Sequence, residues 1–104
     1  MEKYSVIIEA PAFSDIDDIF AYIANTLKEP GIAERIFDSI QAAIASLRQF
    51  PMRHGGIIEG SFASKEIRRM PAENYIVLYT VDRAKNEVHV LRIMYSRREL
   101  PNLF

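Results

Sequence analysis

Asn74-Tyr75-Ile76-Val77-Leu78-Tyr79-Thr80-Val81, followed after a polar turn by Glu87-Val88-His89-Val90-Leu91-Arg92-Ile93-Met94-Tyr95, is the stretch that decides the fold. Both runs are rich in β-branched and aromatic residues, and the connection Asp82-Arg83-Ala84-Lys85-Asn86 has the length and polarity of a hairpin loop. Two antiparallel neighbouring strands follow. Alternation places Tyr75, Val77, Tyr79 and Val81 on one face and Ile76, Leu78 and Thr80 on the other. In the next strand it sets Val88, Val90, Arg92 and Met94 against His89, Leu91, Ile93 and Tyr95. Both faces are apolar.

Working outward, residues 65–70 read as a short charged strand, and residues 4–9, with Val6-Ile7-Ile8 at their centre, as a first strand that Ala10-Pro11 ends. Pro11 suits a first helical turn. Phe13, Ile16, Phe20, Ile23 and Leu27 then recur at spacings of three and four, the stripe of an amphipathic helix. Asp15, Asp17 and Asp18 near its start complement the positive end of the helix dipole. Glu29-Pro30-Gly31 breaks the pattern. A second stripe, Ala33, Ile36, Phe37, Ile40, Ala43, Ile44 and Leu47, runs on until Pro51 stops it, so two antiparallel helices are expected. Periodicity vanishes over residues 52–64, where Gly55, Gly56 and Gly60 mark a surface loop, and a tail over residues 96–104 ends in Leu103 and Phe104. The expected architecture is α+β, in the order β-α-α-β-β-β, with a helical hairpin packed on a small, mainly antiparallel sheet. The 104 residues form one domain with one core and no internal repeat.

A helical hairpin covers one face of such a sheet, and the chain has no further helix for the other, which antiparallel sheets keep polar when it meets water. Hiding even ~400 Å² of that face, at ~25 cal/mol per Å², supplies on the order of 10 kcal/mol before association costs. The cover is a partner protein, a second copy of the chain, or the sheet's own curl shielded by the 52–64 loop and the tail.

Composition narrows the chemistry. The chain is 49 % hydrophobic and 26 % charged, an ordinary globular balance. Without cysteine there is no disulfide, thiol nucleophile or thiolate metal site, and two isolated histidines make a poor metal cage, so no metal or other cofactor is expected. Met1-Glu2-Lys3-Tyr4 opens no signal peptide and no apolar run reaches the ~20 residues of a membrane span, which points to the cytoplasm. Net charge is −1 and pI about 6.1, short of a dedicated nucleic-acid binder, yet residues 1–64 sum to −4 and residues 65–104 to +3. The basic residues of the second part gather as Arg68-Arg69, Arg92 and Tyr95-Ser96-Arg97-Arg98. Arginine forks beside a tyrosine suit phosphate groups or an acidic peptide, although solvated edge charges that discourage strand aggregation have the same look. Asp15 and Asp18 share a helix face but need no metal. His54 reads as a surface residue, His89 as a hydrogen-bonded sheet histidine, and Ser14 has no partner base at a readable spacing. No catalytic triad emerges.

Nearly the whole chain resembles the RelE/ParE toxins of bacterial type II toxin–antitoxin systems. The likeness rests on Ala10-Pro11-Ala12 leading into Asp15-Ile16-Asp17-Asp18-Ile19 and Tyr22-Ile23, on the close of the second helix over residues 47–51, and on residues 74–81. Val90-Leu91-Arg92-Ile93-Met94-Tyr95-Ser96-Arg97-Arg98 completes it. The resemblance implies a small toxin wrapped and neutralised by a cognate antitoxin, which fits an uncovered sheet face. RelE-like members cut messenger RNA on the ribosome with sheet arginines, and the position matching one of these is Ile76, which cannot hold a phosphate. For a ribonuclease the remaining candidates are Arg69, Tyr95 and Arg98. The ParE-like branch is the better match. It implies growth inhibition and plasmid stabilisation through a protein target, DNA gyrase, with Arg68, Arg69, Arg92, Tyr95, Arg97 and Arg98 as target or antitoxin contacts. A ribosome-dependent mRNA endoribonuclease and a non-toxic binding module derived from a toxin are the rival expectations.

Overall fold

The computed structural model describes residues 3–54 and 67–96. The expected loop glycines, Arg97, Arg98 and the apolar end of the tail lie outside the described residues. Strand β1 (Ser5–Ile8) leads into helix α1 (Ala10–Ala21), helix α2 (Pro30–Ala45) follows, and strands β2 (Arg68–Ala72), β3 (Tyr75–Asp82) and β4 (Glu87–Tyr95) complete the sheet. The sheet order is β1-β4-β3-β2. β3 runs antiparallel to both neighbours, and β1 lies parallel to β4 with Ser5 opposite Glu87 and Ile8 opposite Val90. The chain reaches that parallel edge through the helical hairpin, which packs on one sheet face. Among the described residues no helix is long and apolar enough to cross a membrane.

α1 ends in a π-helical turn, Tyr22–Thr26, and the reversal is made by Lys28 in the left-handed region (φ 57°) before Pro30 opens α2 at its first position. Gly31 is already helical, so the break depends on Lys28 and Pro30. The stripe on α2 is as expected, with Ala33, Ile36, Ile40, Ile44 and Leu47 buried. On α1 the expected stripe needs correction. Ala12, Ile16 and Ile23 are buried with Ile19 packed beside them, while Phe13 and Leu27 are about half exposed. α1 packs against β4, and the small Ala12 permits that approach where a phenylalanine ring would hold the helix away. Phe20 lies at the margin, edge-to-face on Phe37 of α2 with ring centroids 6.0 Å apart.

β2 runs to Ala72, two residues past the end its sequence suggests, and joins β3 through the two-residue turn Glu73-Asn74, with Glu73 at φ 57°. Arg35 of α2 donates to both carboxylate oxygens of Glu73 at 3.2–3.3 Å. Hydrogen bonds from Ser39 and Arg35 hold that carboxyl below its ordinary pKa. The alternation expected for β4 fails in its second half. A bulge at Leu91 shifts the register between Leu78 and Tyr79, so Tyr79 faces Val90 while Leu78 faces Arg92. Ile93 therefore joins Val88 and Val90 in the core, and Arg92 and Met94 turn to the face away from the helices. Tyr79 is fully buried at the centre of the core, and its O–H donates to Pro51 O at 2.5 Å. Burial raises the Tyr79 pKa, against a smaller opposing pull from Arg68 and Arg53.

Candidate functional site

The face of the sheet opposite the helices is built in three rows by the strand register. Ile7, His89 and Thr80 form the first row; Arg92, Leu78 and Arg69 the second; Met94, Ile76 and Pro71 the third. Ile76, Leu78 and Leu91 are half-buried, while Ile7, Met94, Arg69 and Arg92 are exposed. An apolar centre thus lies between two arginines whose backbones are two strand spacings apart, roughly 10 Å. The bulge at Leu91 creates this arrangement, since without it Arg92 would point toward the helices.

Each arginine has a different status. Arg69 stands on the edge strand and is exposed. Arg92 is tied down: Nε and Nη2 donate to Asp15 Oδ2 and Oδ1 at 2.7 and 2.9 Å, and Asp15 Oδ2 also accepts from Ile93 N at 2.9 Å. Asp15 therefore does not serve the helix dipole as expected. It closes the edge of β4 where β1 has departed into α1, satisfying a backbone donor that would otherwise lack a ladder partner. Burial alone would raise the Asp15 pKa, but the hydrogen bonds from Arg92 and Ile93 outweigh it and the net shift is downward. Arg68 pairs with Tyr79 on the helix side, where its Nη1 donates to His54 O at 2.8 Å and Met52 O at 3.3 Å. It fastens the Pro51–Arg53 turn to the sheet. Tyr95 also faces the helix side. It sits edge-to-face on Tyr75 with centroids 5.5 Å apart, and burial followed by the neighbouring phenols of Tyr95 and Tyr22 raises the Tyr75 pKa.

The sequence-derived set is thus divided by the sheet: Arg69 and Arg92 share the outer face, and Tyr95 and Arg68 occupy the other. His54 is partly buried rather than a plain surface residue. Its ring meets Tyr79 edge-on at 6.5 Å, and burial, with the charge of Arg53, lowers its pKa. His89 is hydrogen-bonded as expected, and by a triad that sequence spacing does not reveal. Nδ1 lies 2.6 Å from Glu9 Oε2 and Nε2 3.0 Å from Glu87 Oε1, so both carboxylates favour imidazolium and raise its pKa. Both ring nitrogens are engaged, which leaves His89 without a free nitrogen for acid–base chemistry. Among the described residues no group of three acidic or histidine side chains forms a metal-holding arrangement.

Comparison with known proteins places this geometry in context. The sequence profile of the family described as "ParE toxin of type II toxin-antitoxin system, parDE" matches residues 6–100. A chain from the chromosomal ParDE system of P. aeruginosa superposes with TM-score 0.74 at 20 % identity, covering 91 % of this chain and 98 % of that one. A chain of the RelBE2 toxin–antitoxin complex from Mycobacterium tuberculosis gives 0.61 at 22 % identity, over 91 % and 93 %. A chain of the archaeal RelE–RelB complex from Pyrococcus horikoshii gives 0.56 at 18 %, over 92 % and 98 %. At these identities the three structures establish the fold alone. A comparison with curated protein sequences finds no match.

Proposed function

Because the chain belongs to the ParE toxin family of type II toxin–antitoxin systems, we propose that it inhibits growth by binding a protein target, DNA gyrase, and that a cognate antitoxin neutralises it by covering the same outer sheet face. The observation that carries this reading is the Arg92–Leu78–Arg69 row with Ile76 and Met94 beside it: an apolar centre rimmed by cations, with no helix of the described residues over it. Such a surface suits a partner segment that pairs apolar side chains with acidic ones. Two further features speak against strand cleavage of mRNA. Ile76 occupies the middle of the face where a phosphate-holding arginine would be needed, and Arg69 and Tyr95 lie on opposite sides of the sheet. Complexes of toxin with antitoxin among the similar structures support the antitoxin partner. Arg97 and Arg98 extend the contact on sequence grounds, and the site of action is the cytoplasm, where a gyrase is met.

The test is induction of the chain and of an Arg69→Glu, Met94→Glu variant, with growth, DNA-damage signalling and message integrity followed together, and gyrase supercoiling assayed with purified chain. The expected result is arrested growth with damaged DNA and intact messages, lost in the variant while its circular dichroism is unchanged. Truncated messages with undamaged DNA would instead establish the endoribonuclease. Unchanged growth with retained antitoxin binding would establish a non-toxic binding module.

A further inference from the structure

At the end of the molecule where β1 begins, a cleft of about 670 Å³ opens between the N-terminal segment and the close of the α2 region, lined by Lys3, Ala45, Ser46, Arg48, Gln49, Phe50 and Arg53. Its lining shares no residue with the Arg92–Leu78–Arg69 row of the outer sheet face. Of the described lining residues three are cationic and none is acidic.

The cations are arranged unequally. Arg53 is fixed: Nη1 donates to Gln49 O at 2.6 Å, Phe50 O at 3.1 Å and Ser46 O at 3.4 Å, and Nη2 to Ser46 Oγ at 2.9 Å. These bonds neutralise the carbonyl end of the helical segment, which by itself repels anions. They also leave Nε–H and the second Nη2–H, two of the guanidinium's five donors, without an acceptor among the described residues. Such a pair forms a fork matched to two oxygens of a phosphate or carboxylate. Lys3 and Arg48 are exposed side chains able to close on the same anion. Phe50 completes the lining. The residue is 66 % exposed, and its backbone stands at φ 52°, ψ 53°, a left-handed conformation that a side chain with a Cβ disfavours. Folding gains little from an exposed ring in a strained position, and an observed outlier of this kind points to use.

The geometry points to this cleft as a binding site for a nucleoside phosphate, with the phosphates held by Arg53, Arg48 and Lys3 and the base stacked on Phe50. The volume falls within the range of small-ligand sites, about 300–1,000 Å³, and fits one nucleotide unit better than a wrapped strand. A flat aromatic next to a fixed guanidinium fork is the pairing that stacking and phosphate recognition require together. An acidic peptide would use the cations but would gain less from a bare ring.

ATP, AMP, adenosine and inorganic phosphate are titrated calorimetrically into the full chain, and the decanucleotide dT10 in parallel. ATP is expected to bind, with adenosine at least ~10-fold weaker, and Arg48→Ala and Phe50→Leu each to weaken ATP by about 10-fold. Arg53→Ala unfastens the helix end and is read only alongside its circular dichroism, so Lys3→Ala serves as the second phosphate-side variant. If dT10 binds more tightly than ATP and loses affinity in the same variants, the nucleotide chemistry stands and the ligand is a strand. The proposal is overturned if no nucleotide binds at millimolar concentration, if Arg48→Ala and Phe50→Leu leave ATP binding unchanged, or if a decaglutamate peptide binds where ATP does not.

Discussion

Replacing Asp15 with alanine removes the acceptor of three hydrogen bonds at the junction of α1 and β4, and its cost can be worked from the geometry. The side chain is only 13 % exposed, and one of its three donors, Ile93 N–H, is a part-buried backbone group with no strand beside it. Stranding that donor costs about 1–3 kcal/mol. The pair with Arg92 adds little, because its guanidinium side chain is 55 % exposed and solvent screens the attraction. The cost is about 1–3 kcal/mol, a large share of the 5–15 kcal/mol typical of a domain this size. Urea denaturation followed by far-ultraviolet circular dichroism reads it as a midpoint shift of about 0.5–1.5 M for a slope of roughly 2 kcal/mol/M. Asp15→Asn keeps an acceptor for Ile93 N–H and should cost about half as much, and Arg92→Ala less than Asp15→Ala. The pH dependence follows the same logic. The folded carboxyl titrates below its ordinary 3.8, so its stabilisation is present above that value and is lost as pH falls through the folded one. A shift under ~0.5 kcal/mol for Asp15→Ala, or equal losses for Asp15→Ala and Arg92→Ala, would refute the assignment of the main cost to the stranded amide.

His89 gives a pH dependence of opposite sign. Its folded pKa lies above the ordinary 6.5, so its stabilisation is complete below that value and declines as pH rises through the folded one. Thermal unfolding of His89→Gln should therefore lack the neutral-pH slope of the parent, and an identical slope in both would count against the Glu9–His89–Glu87 triad. Tyr79→Phe removes the buried bond to Pro51 O and should cost about 1–2 kcal/mol in the same urea assay, with the Pro51–Arg53 turn more open to proteolysis. Lys28→Gly relieves a left-handed backbone and should stabilise by up to about 1 kcal/mol, whereas Gly31→Ala, in a helix with open space around it, should also stabilise.

Much of this molecule is dictated locally. The residues of β3 and β4 are β-formers separated by a polar turn, and the α2 stripe has helical period, so these elements and the inward face of α2 follow from the chain's own chemistry. The resemblance to the toxin family is likewise carried by residue order along the chain. Tertiary packing decided the rest. The bulge at Leu91 reverses the facing of Arg92 and Met94, because strand alternation carries no mark of the one extra residue that two paired strands accommodate. The parallel placement of β1 beside β4 left Ile93 N–H without a strand partner, and only that vacancy gives Asp15 its role. Glu9, Glu87 and His89 converge through strand pairing across some eighty residues. Sequence specifies which groups exist and what each prefers next to its neighbours; where distant groups meet is fixed by register, and register is settled only when the whole core closes.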